Sequence, residues 1–145
     1  MDILSYALLI FAFIEALNVA ILYFVPGTKR GNGMGAFSAY ERSKGDPGVF
    51  ALITYLVNWV AGTKLIFVLL LIGIAFTGTQ TTKVISIIAL LISISTFYWR
   101  LFPAIQQMDA EGHISPKGYS RTLAIMIGVF LACLTAALAS HFLVD

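Results

Sequence analysis

The chain has 145 residues, 59% of them hydrophobic and 11% charged, with a net charge of +2 and a mean hydropathy of +0.92. Soluble domains carry about a quarter charged residues, so the composition excludes an ordinary soluble enzyme and indicates an integral membrane protein. The small positive charge gives no footprint for nucleic acid; a basic rim facing anionic lipid headgroups is the simpler reading.

The first apolar run covers residues 3–25 and has the ~20 residues that a helix needs to span a hydrocarbon core. It lacks a Lys/Arg-rich start and a small-residue cleavage site, so it reads as a retained helix and not a secretory signal. Within it, Glu15 and Asn18 interrupt the sequence FAFIEALNVAILYF. The connection that follows, 26–48, divides in two. Its glycine-rich part, residues 26–35, predicts an irregular, flexible surface stretch. Ser38 and Glu41 have the Ser-x-x-Glu spacing of a capping box, which predicts a short surface helix near 37–45. The glycines do not form a phosphate loop: the Gly-x-x-x-x-Gly-Lys-Ser/Thr pattern is missing, and a membrane helix precedes them where a strand should.

The second run, 49–76, contains Asn58 and Lys64, and a short turn, TGTQTT, leads to the third run, 84–105. There Ser86, Ala89, Ser93, Thr96 and Arg100 recur at helical spacing as a polar stripe ending at an arginine, just before Pro103 weakens the helix by removing a backbone donor. The connection 106–121 contains DAEG, a fragment of a calcium-loop pattern. Gln107 and Gly118 would occupy the first and twelfth positions, too poor a ligand set for calcium. It reads instead as a glycine turn with solvated carboxylates, Asp109 and Glu111. The fourth run, 122–143, carries Gly128, Ala132, Thr135 and Ala139 on one face, small residues that let another helix approach closely.

Lys29, Arg30, Arg42 and Lys44 fall in the first connection and Arg100, Lys117 and Arg121 in or beside the third, against Lys83 alone by the second. Positive charge marks the cytoplasmic side. The expected fold is therefore an all-α, four-transmembrane-helix bundle in one membrane domain, with both termini on the outer side, as suits Asp2 and Asp145. Lys29, Arg30, Arg42 and Lys44 would meet lipid headgroups, and a bacterial inner (plasma) membrane is the expected location.

A charge at the bilayer centre costs ~2.5–3.5 kcal/mol on insertion scales, so Glu15 should face the bundle and find a partner. Counted from the outer ends of their helices, Glu15 and Lys64 both lie roughly 20 Å down at 1.5 Å per residue. Matched depth on successive helices predicts a Glu15–Lys64 ion pair. Asn58, about 120° around the helix from Lys64 by the same repeat, should face a different neighbour. With Asn18, Ser93 and Thr96 supplying polar contacts beside the pair, the expected function is transport or permeation of protons or a small ion by an oligomer. The rival is an accessory subunit of a larger membrane complex, in which the same charges fix helix register.

No catalytic group, metal site or cofactor is expected. His113 and His141 lie at opposite depths, which excludes a haem between them. No Asp lies inside a span to build an aspartyl peptidase, and the single Cys133 forms no thiol or zinc motif. Four spans in so short a chain, with outward termini and a basic longest connection leading into helix two, resemble the layout of the small glutathione-dependent membrane enzymes of eicosanoid and detoxification metabolism. In that family an Arg-rich stretch with Asn and Glu binds the thiol cofactor. Here YERSKGD stands at that place, with Arg42 as its match and Asn58 much later, so the resemblance implies a small membrane enzyme only as the alternative reading.

Overall fold

The computed structural model describes residues 1–144; Asp145 lies outside the described residues. Six α-helices follow in order: α1 (Ile3–Phe24), α2 (Ser38–Ser43), α3 (Pro47–Thr77), α4 (Gln80–Thr96), α5 (Phe102–Ala110) and α6 (Tyr119–Val144), with no strands among the described residues. Side-chain caps fix several starts. Asp2 accepts from the Ser5 N–H at 2.8 Å to open α1. Asp46 accepts from Gly48 and Val49 at 2.9 and 3.1 Å, with Pro47 in the first turn where no donor is needed. Thr79 caps α4 through Thr82 at 3.2 Å.

Four helical stretches are long and apolar enough to cross a membrane: α1, α3, Gln80–Ala110 and α6. The third contains Pro103 without breaking. Residues Phe97–Leu101 form a π-helical turn in which the Phe102 N–H donates to the Phe97 carbonyl, five residues back. This wider turn precedes the proline, whose ring would crowd the preceding turn of a regular α-helix and which supplies no donor. Helical structure accordingly continues to Ala110, past the expected end at 105.

Helix α1 is the hub: it packs most extensively on α3 and also contacts α6, and α6 packs on α4. By contrast α3 and α4, joined by the tight turn at 78–79, make few contacts with each other. The dense core lies in the half of the bundle nearest the N-terminus, around Leu4, Leu8, Val68, Leu71, Ile87 and Leu134. Large apolar side chains such as Phe13, Ile66, Leu70 and Ile92 are exposed around the outside, the arrangement that hydrocarbon solvent requires and water penalises.

The two basic connections pack on each other at one end. Phe37 and Ile114 form an antiparallel bridge, the Ser38 N–H donates to the His113 carbonyl at 2.9 Å, and the Ser115 N–H donates to Ala36 at 2.8 Å. Asp2 and Lys83 meet at the opposite end, 2.6 Å apart.

Three local expectations are corrected. The capping box does not form: Phe37 takes the N-cap position without a side-chain bond, Ser38 Oγ accepts from Arg42 at 3.2 Å, and Glu41 turns to Lys44 at 2.8 Å. The glycine stretch is not a loose surface loop, because a Cβ on Gly33 would come within 2.2 Å of the Thr28 carbonyl oxygen and one on Gly35 within 2.0 Å of Gly27's. Asp109 is not solvated. It is buried and accepts from the Gly118 N–H, the Ser120 N–H and the Ser120 hydroxyl at 2.9, 3.0 and 2.6 Å, so the end of α5 caps the start of α6. Glu111 is exposed.

Candidate functional site: a cleft around an intramembrane ion pair

A cavity of about 860 Å³ lies between α1, α3, α4 and α6, in the half of the bundle nearest the basic connections. Its roof is aromatic: Phe11 meets Phe67 and Phe130 edge to face, with ring centres 6.1 and 5.7 Å apart. Its floor is the glycine stretch Gly31–Met34 with Phe37 and Tyr119. Gly31 takes a φ of +54° directly beneath α1, where a Cβ would lie 2.9 Å from the Asn18 Oδ1 and 2.8 Å from Ile21. Glycine is the residue for which that backbone carries no steric cost.

Glu15 and Lys64 form an ion pair on the cavity wall. Their side chains are 13% and 28% exposed, and that exposure includes the cleft. Asn18, three residues along α1 from Glu15 and so on the same face, also lines the cleft, and its amide has no hydrogen-bond partner among the described residues. Ser93 and Thr96 add polar lining from α4, with the Thr96 hydroxyl donating to the Ser93 carbonyl at 2.6 Å, and Asn32, Tyr119 and Thr122 add more from the floor and α6. The five residues Glu15, Asn18, Lys64, Ser93 and Thr96 are thus gathered from three helices.

The structure divides the rest of the polar stripe. Ser86 lies outside the cleft and donates to its own helix at the Thr82 carbonyl, 2.8 Å away. Arg100 is exposed, with its guanidinium 4.5 Å from the centre of the Trp99 ring. The π-helical turn is the reason: it rotates residues 97–101 relative to the repeat that aligned Arg100 with Ser93 and Thr96.

On α6, Gly128 makes room for Tyr98, whose hydroxyl donates to the Ala124 carbonyl at 2.7 Å; Ala132, Thr135 and Ala139 point outward, and Thr135 bonds back to Leu131 at 2.8 Å. Among the basic residues, Lys29 reaches the Ser115 hydroxyl at 3.3 Å, Lys44 pairs with Glu41 and lies over the Tyr40 ring, and Arg30 is exposed. Arg42 and Asn58 do not meet. Asn58 lines a separate cavity of about 110 Å³ beside Tyr23 and Tyr40, away from Lys64. Among the described residues no three His, Cys, Asp or Glu side chains group as metal ligands.

One ion pair escapes a reading based on depth within the spans. Asp2 meets Lys83, which is buried, while the Ser5 hydroxyl donates to the Ala75 carbonyl at 3.0 Å beside them. The pairing was accessible in principle, since an N-cap aspartate and a first-turn lysine belong at the same end of the bundle. The hydrogen bond from Lys83, helped by Ser5, holds the Asp2 carboxyl well below the usual carboxylate range. A depressed value contributes stability that is fully present above the unfolded value near about 4 and is lost as pH falls through the folded value. Thermal stability in detergent should therefore fall from about pH 5 to pH 3, and Asp2→Asn should remove much of that dependence while lowering stability at neutral pH.

No protein-family model matches the chain, and no curated protein or solved structure is significantly similar to it, so the functional reading rests on the cleft itself.

Proposed function

We propose that the chain is a small membrane transport or permeation protein in which Glu15 takes up and releases a proton or small cation and Lys64 is its countercharge. The observation that carries this reading is the ion pair on the wall of a cavity inside a membrane-type bundle, where charged groups are costly and disproportionately functional. Asn18, Ser93 and Thr96 lie beside the pair and can replace part of a hydration shell. The Phe11 cluster lies at one end of the cleft and the glycine floor at the other.

Flux in proteoliposomes tests this reading. Glu15→Gln should abolish proton-driven flux while the folded protein still assembles, and a Glu15→Gln/Lys64→Met double variant should remain inactive even where stability recovers. Wild-type protein that passes no ion under a proton or voltage gradient sinks the proposal and leaves an accessory subunit in its place. That second reading is favoured by the outward-facing Ala132, Thr135 and Ala139, a face suited to another helix from a second copy or a different subunit.

The same reading places the basic connections in the cytoplasm and both termini outside, in a bacterial inner membrane. With Cys133 replaced by Ser, single cysteines at the exposed positions Arg42 and Gln80 should be labelled by a membrane-impermeant reagent from opposite sides. Labelling of both from one side contradicts the orientation.

A further inference from the structure

We infer that the cleft binds a lipid-soluble amphipath whose head is an uncharged ring bearing carbonyl or hydroxyl groups, the quinone–quinol class, with its apolar tail directed into the bilayer. This concerns binding alone and does not depend on ion passage. The cavity's volume of about 860 Å³ falls within the ~300–1,000 Å³ typical of small-molecule sites. Access favours a molecule arriving through lipid. Helices α3 and α4 make few contacts with each other, and the lining residues Leu17, Val60 and Leu101 are 51%, 48% and 60% exposed.

The polar groups define the head. Glu15 and Lys64 neutralise each other, so a charged head would have to break their pair, while a neutral one leaves it intact. An ammonium has three donors and Lys64 spends one on Glu15; the Asn18 amide has no partner among the described residues. Together they offer donors to a ring carbonyl, and the Glu15 carboxylate offers an acceptor to a ring hydroxyl. Phe11, Phe67 and Phe130 form the adjoining roof, a surface on which a planar ring packs edge to face or offset.

The test uses the full chain in phospholipid nanodiscs with a photoreactive short-tailed benzoquinone as probe, followed by peptide mapping. Labelling should saturate, map to the cleft-lining parts of α1, α3 and α4, and be displaced by unlabelled quinone. Asn18→Leu should weaken binding by roughly tenfold, the effect of losing one well-made hydrogen bond. Non-saturating labelling, or affinity unchanged in a folded Asn18→Leu protein, overturns the inference. A straight-chain alcohol of equal tail length provides the second measurement, decisive even if Asn18→Leu does not fold. Displacement by it as effective as by quinone shows that the cleft accepts any lipid chain, and overturns recognition of the ring head.

Discussion

Replacing Glu15 with Gln, or Lys64 with Met, should destabilise the bundle by about 3 kcal/mol, whereas the double replacement should come within about 1 kcal/mol of wild type. Each single change leaves a charge facing the cleft without its counterion, and the cost of that orphan exceeds what the intact pair contributes over a neutral substitute. The lower part of the range for buried pairs applies because Lys64 retains 28% exposure. Equilibrium unfolding of the four proteins in mixed micelles gives the coupling energy directly. Single variants as stable as wild type would show that the pair is not held in the folded membrane protein.

The second large effect is expected in the turn that carries the cleft's floor. Gly35→Ala places a methyl group 2.0 Å from the Gly27 carbonyl oxygen, and because the obstacle is backbone, no side-chain rotation relieves it. The turn from Pro26 to Phe37, held by Met34 N–H to Pro26 at 2.6 Å and Gly35 N–H to Thr28 at 3.0 Å, must open. A loss of about 3 kcal/mol, the upper end for overpacking, is expected. Amide exchange should accelerate across residues 26–37 and leave the core around Leu8 and Leu71 protected. Alanine at Gly112 meets no neighbouring atom, although its φ of +76° disfavours any side chain. It therefore serves as the control for backbone strain without a clash, and the Gly35 effect should exceed it. Equal effects at the two sites would mean that the turn from Pro26 to Phe37 is not tightly packed.

Several features of the molecule follow from its sequence alone. Four apolar runs of spanning length and the basic residues gathered in two connections are local properties of hydropathy and charge. The meeting of Glu15 and Lys64 could also be reasoned out, since the 1.5 Å rise fixes depth and consecutive helices tend to be neighbours. Tertiary structure decided the rest, because hydropathy does not record how closely two helices approach. Close packing within the first connection and against α1 turned Gly31, Gly33 and Gly35 from apparent slack into tight contacts, and burial of Asp109 followed from its bonds to Gly118 and Ser120 at the start of α6. The π-helical turn before Pro103 separated Arg100 from the stripe that periodicity had assigned to it. The cleft itself arises because α3 packs on α1 while staying apart from α4 along much of their length. Whether apolar residues such as Val60 and Leu101 fill a core, face lipid or line a cavity depends on that gap, and identical residue types are compatible with all three.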